Sequence, residues 1–187
     1  MIIELLSKEH QNLKRLLDIL EHEFEVLGRG KRPDYEVVRA IISYFEVYPE
    51  QFHHPQEDLV LAKLKSRDPA AAAKIGDLDR EHTLGTERLR RVAQALDAIL
   101  ADREMLREDL NTIIRDFIDR ERRHIFMEDK YFFPVALEAL KPEDWAEIDS
   151  TLTNRKDPLF SDAVEERFEM LREHILQLEK EAEAERR

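Results

Sequence analysis

The chain has 187 residues, 39% of them charged and 42% hydrophobic, with four glycines and no cysteine. The missing thiols exclude disulfides, zinc ribbons, iron–sulfur clusters and a cysteine nucleophile. A net charge of −12 argues against a nucleic-acid backbone as partner, and the composition suits an all-α protein with solvated helix faces.

Apolar spacing and punctuation predict four long amphipathic helices. The first runs from about residue 2 to Leu27 and stops at Gly28–Gly30. The second starts after Pro33, with Asp34 as N-cap, and reaches about Ser66. Asp68 and Pro69 read as cap and first position of a third, which extends to about Leu100. Asp102 reads as the cap of a fourth, ending near Leu140. Pro142 opens a short fifth helix, and a sixth runs from Ser161 into a charged tail that is expected to fray. Short loops between the first four imply an antiparallel up-down-up-down four-helix bundle over residues 1–141, with a helical extension over 142–187, in a single domain 1–187. The first ten residues lack a basic n-region and a long apolar run, so no signal peptide is expected. No stretch approaches the roughly 18 apolar residues of a membrane helix. A cytoplasmic protein without membrane partners is the expectation, and a homo-oligomer is compatible with the sequence but not specified by it.

Placed at 100° per residue, the polar residues divide into inner and outer sets. The first stripe is Ile2, Leu6, Leu13, Leu17, Leu20 and Phe24; His10 lies on it and His22 opposite. On the second helix Val38, Ile42, Phe45, Phe52 and Val60 form the stripe, and His53 and Glu57 lie nearer to it than His54 and Asp58. Pro49 and Pro55 can rotate the phase there. On the third, His82 joins Ile75, Leu78, Leu89, Ala93, Leu96 and Leu100, with Thr86 at the edge. On the fourth, Glu121, His124 and Glu128 share the face of Ile113, Phe117, Tyr131 and Val135, with Asp129 at its margin. Nearby aromatic residues, Tyr44, Phe45, Tyr48, Phe52, Tyr131, Phe132 and Phe133, read as core walls.

One inward histidine is ordinarily a hydrogen-bonded core residue. Four, one per helix, call for another explanation, and inward carboxylates are costlier still. Depth supplies it. His10 lies roughly 26 Å from the end of its helix and His53 roughly 28 Å from the start of the next, and the other two crossings match as well. The four histidines therefore share a layer with Glu57 and Glu128, each of which follows a histidine by one turn. Imidazole plus carboxylate without sulfur suits iron, and less exclusively manganese or zinc. Four histidines and two bridging carboxylates would hold two metals, and a shared oxo or hydroxo bridge would leave positions open for water, dioxygen, peroxide or nitric oxide.

The series His10, His53-x3-Glu57, His82, His124-x3-Glu128, with "HHPQED", "RHIFMEDKYFFP" and the later Asp144–Trp145 pair, resembles the hemerythrin-like (HHE cation-binding) family of non-haem di-iron four-helix bundles over about residues 1–150. The resemblance implies that His10 and His53 bind one iron, His82 and His124 the other, and that Glu57 and Glu128 bridge them. Oxygen-carrying members have a second histidine four residues after the third-helix ligand. Thr86 stands there, which points away from reversible oxygen transport and toward the four-histidine form of the family. His54, Asp58, Glu121 and Asp129 are secondary ligand candidates. Glu50-x2-His53 and Glu121-x2-His124 also fit a ferritin-like di-iron site, which would draw on Glu9 and Glu81 and leave His10 and His82 without a role. Two functions stay open: a module that binds or senses a small ligand or iron, and a di-iron oxidoreductase that reduces peroxide or nitric oxide, oxidises Fe(II) or serves iron-centre repair.

Overall fold

Helix α1 (Ile2–Gly28) has apolar residues at helical spacing along its whole length, and every one of the six expected stripe residues is buried. The structure, a computed structural model, describes residues 2–29, 31–101, 103, 107–152, 157–162 and 164–185. Gly30, Asp102 and the two terminal arginines, read above as loop, cap and tail, lie outside the described residues.

Asp34 caps α2 (Tyr35–Tyr48): its Oδ1 accepts the N–H groups of Glu36 and Val37 at 3.1 and 3.2 Å. Glu23 accepts the N–H of Asp34 itself at 2.7 Å, which fastens the end of α1 to the start of α2. A π-turn, Pro49–His53, then leads without a break into α3 (His54–Arg67). Its sequence cause is Pro55. Proline has no N–H and its ring clashes with the carbonyl four residues back, and a wider turn relieves both problems. The bond that closes the turn runs from the His54 N–H to the Pro49 carbonyl. The same device recurs after α6 (Arg107–Met127): a π-turn at Glu128–Phe132, closed by the Phe133 N–H on the Glu128 carbonyl, comes just before Pro134 in α7 (Phe133–Ala139).

The third expected helix is two. Between α3 and α6 lie α4 (Pro69–Ala72), capped by Asp68, and α5 (Leu78–Leu100), capped by Asp77. Gly76 separates them at φ +91°, a conformation cheap only for glycine. Helix α8 (Pro142–Thr151) begins at Pro142 as expected. The last helix starts later than Ser161: Asp157 ties a turn by accepting the N–H groups of Leu159 and Phe160, a 3₁₀ turn follows at Glu166–Phe168, and then α9 (Glu169–Glu185). Among the described residues there is no strand.

The fold is an all-α bundle. Helix α1 packs beside α2 and α6, α5 lies between α2 and α6, α8 sits against α3, and α9 sits against α2. The apolar interior is in two parts. One contains Leu13 to Phe24, Val37 to Tyr48, Leu89 to Leu96 and Leu110 to Ile125, covered by Phe168, Leu171 and Ile175. The other contains Ile2 to Leu6, Val60 to Leu64, Leu78, Phe132, Phe133 and Ala136. On the long rods, the intervals between the two parts hold His10, His53 with Glu57, His82, and Glu128, with His124 one residue before Ile125 at the edge of the first part. Each fully buried leucine or phenylalanine contributes about 1.5–3 kcal/mol, so the burial of apolar side chains on both sides offsets the cost of keeping the polar layer between them.

Candidate metal centre

Glu57 and Glu128 meet at the middle of the layer, both fully buried. The Oε1 of Glu57 lies 3.3 Å from Nε2 of His10 and 3.3 Å from Nε2 of His53, while its Oε2 lies 3.5 Å from Nε2 of His82. Glu128 is arranged in the same way: Oε2 is 3.3 Å from Nε2 of His10, and Oε1 is 3.1 Å from Nε2 of His124 and 3.5 Å from Nε2 of His82. Each carboxylate thus turns one oxygen to each end of the layer. Two groups of potential ligands result, His10, His53, Glu57 and Glu128 at one end, and His54, Glu57, His82 and His124 at the other.

Among the described residues, several of these atoms have no hydrogen-bond partner: Nε2 of His10 and of His124, both oxygens of Glu57, and Oε2 of Glu128. Buried polar atoms are normally satisfied, and converging lone pairs of nitrogen and oxygen are what a divalent cation satisfies. The donors present therefore fit bound metal.

Outer carboxylates set the ring orientations. The Nδ1–H of His10 donates to Asp129 at 2.7 Å, and Asp129 also accepts from Lys14 at 2.6 Å. The Nδ1–H of His53 donates to Glu9 at 2.8 Å, and Glu9 accepts from the Tyr48 hydroxyl at 2.7 Å. Behind His54, the Glu50 carboxylate is 3.5 Å from Nδ1 and accepts from Thr86 at 2.7 Å. Behind His82, Asp58 is 3.5 Å from Nδ1. On His10 and His53 the carboxylate hydrogen-bonded to Nδ1 fixes the proton there and leaves Nε2 free to ligate. Phe133 stacks on His10 with 5.2 Å between ring centres and closes that end.

The charges follow. Burial drags His10, His53 and His82 down, but the surrounding carboxylates outweigh it and hold them up at about 11, 9 and 10. Burial pulls His124 below its ordinary value. Burial opposes ionisation of Glu57, but His53, His10 and His82 hold it well below the usual carboxylate range. Glu121, pushed up to about 7 by burial and then by the charge of Glu128, lies beside Gly85, where a Cβ would stand 3.1 Å from its Oε1.

The structure brings together all six residues of the expected series. It corrects the reading of His54. That ring, expected to face the rim, stacks on His82 and belongs to the second group, because the π-turn packs an extra residue and lets adjacent histidines both reach the layer. Asp58 and Asp129 stand behind histidines, and Glu121 lies outside both groups. Of the residues that a ferritin-like site would need, Glu81 is exposed and Glu9 is occupied by His53 and Tyr48. Lys14 escaped the sequence reading, and Glu50, considered there only as a ferritin-like ligand, stands instead behind His54, one turn before it.

An all-α bundle with a histidine layer cross-linked by two carboxylates is a protein built to bind cations. The family model of the hemerythrin HHE cation binding domain matches residues 1–136, and the chain belongs to that family. None of the curated proteins and none of the solved structures compared with the chain matches it.

Proposed function

We propose that the layer holds two iron ions bridged by Glu57 and Glu128, and that this centre binds a small ligand: dioxygen, nitric oxide or peroxide. The observation that carries the reading is the division of each carboxylate's oxygens between the two histidine groups. His10 and His53 hold one iron; His82 and His124 hold the other, joined by His54 in place of the helix-α5 histidine that Thr86 replaces. Manganese or zinc could occupy the same donors.

The two ends then differ. Three histidines would hold a metal at one end and two at the other, so the His10–His53 end would leave more room for a small ligand to bind. An iron pair with an open position binds and reduces small oxygen and nitrogen species. The protein's part is selection and orientation. His10 and His53 are buried and Phe133 lies over His10, so this end is shielded from solvent, which favours a small ligand. Asp129 and Glu9 hold the Nδ1 protons and so keep both Nε2 atoms aimed inward.

The reading is tested by metal content with anomalous scattering, followed by stopped-flow mixing of the di-ferrous protein with oxygen, nitric oxide and peroxide. Two metals touching His10 and His82, with a reversible adduct, support it. Fewer than two metals sinks the binuclear centre; consumption of ligand at every turnover replaces the binding module with an oxidoreductase.

A further inference from the structure

A pocket of about 600 Å³ opens between the first half of α5 and the last half of α6, with the turn at Ile75–Leu78 closing one end. The volume lies within the range of small-molecule sites. Arg80 and Arg88 reach it from α5, two turns apart on one face, and Arg120 and Arg123 reach it from α6. Against these four cations the lining carries two acids, Asp77 and Glu81, in a chain of net charge −12. Asp77 is engaged as the cap of α5. Arg88 and Arg120 share Asp116, at 3.9 and 3.6 Å. Arg80 and Arg123 are exposed and enter no ion pair among the described residues.

The remaining wall is apolar, with Leu78, Leu84 and Met127, and His124 stands in the floor. His124 turns Nε2 to Glu128 at 3.1 Å, so its ring divides the pocket from the carboxylate layer. Unlike His10, His53, His54 and His82, it has no carboxylate behind it among the described residues.

We propose that this pocket is a second binding site, separate from the small-ligand position, and that it takes an organic anion: a carboxylate carried on a short apolar stem. Guanidinium groups present paired N–H donors that match a carboxylate. Arg80 and Arg123 supply them at the mouth, while Leu84 and Met127 receive the stem. The site stands on the protein's own side chains and does not need metal.

Hexanoate, acetate and inorganic phosphate titrated calorimetrically into the full chain, as purified and after chelation, test the assignment. Hexanoate should bind saturably at one site in both forms, and at least about tenfold more tightly than acetate because of its stem. Arg80→Gln with Arg123→Gln should weaken it by about tenfold or more, whereas Arg90→Gln with Arg91→Gln, the same charge change on an exposed face outside the lining, should not. No saturable binding, equal binding of phosphate and hexanoate, or affinity unmoved by the Arg80/Arg123 pair would overturn the site. Hexanoate binding that disappears on chelation would overturn it too, since the carboxylate would then be ligating metal.

Discussion

The ring of His54 lies flat on that of His82, with 4.1 Å between centres and 11° between planes. The two residues come from different helices, α3 and α5, and both belong to the group around Glu57 and His124. The contact explains how the chain can have Thr86 where a helix-α5 ligand would otherwise stand. Thr86 donates to Glu50, whose carboxylate faces Nδ1 of His54. Thr86 thus supports, through Glu50, the ring of His54 on the neighbouring helix.

A mutational prediction follows from that arrangement. His54→Ala should reduce bound metal from two ions per chain to about one, because the second group loses one of three imidazoles, while His53→Ala should deplete the other end. His22→Ala, on the exposed side of α1, should leave metal content unchanged. Elemental analysis of the three variants decides it, and full metal content in His54→Ala would remove His54 from the centre.

Glu9 and Asp129 touch no metal in the proposed assignment, yet each fixes the Nδ1 proton of a ligand histidine. Glu9→Gln and Asp129→Asn should each weaken metal binding by about 10–100-fold, with unaltered helix content. Competition against a chelator of known affinity measures this. A purely structural role for either carboxylate would instead show as lost stability with metal affinity intact.

The parts legible from sequence are those that depend on regular spacing. Helix α1 has no interruption, and its stripe, His10 included, lies where a 100° wheel places it. The HxxxE pairs were legible for the same reason. The wheel fails where the backbone leaves α geometry. Within the second π-turn it places Tyr131 inward, but Tyr131 is 48% exposed and Phe132 and Phe133 are buried instead. The same shift at Pro49–His53 hid His54. Leu100, the last residue of α5, is 45% exposed among the described residues, so its place on the stripe buries little. Glu9, considered from sequence only as a ferritin-like ligand, was misread for a different reason: its partner His53 is on another helix, and no spacing along one helix reports such a contact.

Metal uptake should release protons. In the metal-free protein His10, His53 and His82 sit at about 11, 9 and 10, above the value near 6.5 of an unfolded histidine. A raised folded value means that the bound protons stabilise the fold; this contribution is complete below about pH 6.5 and disappears as pH climbs through about 9 to 11. Ligation needs neutral imidazole, so at neutral pH loading should expel about three protons and tighten as pH rises. Calorimetry in buffers of different ionisation enthalpy counts them. Zero proton release would show that the histidines are already neutral in the metal-free chain.

The last prediction concerns whether residues 142–187 belong with the bundle in one domain. Phe168 is fully buried and meets Tyr44 edge-on at 5.7 Å between centres, while the Tyr44 hydroxyl donates to Asp157 at 2.9 Å. At the other end of the molecule, Asp144 of α8 is gripped by Arg67 through two bonds, at 2.9 and 2.7 Å, and Trp145 packs on the second apolar part. Phe168→Ala should therefore cost about 3–5 kcal/mol. Trp145 fluorescence and helical circular dichroism should report the same urea midpoint in the wild type and the same lowered midpoint in the variant, because a single cooperative unit loses stability everywhere at once. If the tryptophan transition stays in place while part of the circular dichroism moves, α9 unfolds on its own and the chain is not one domain.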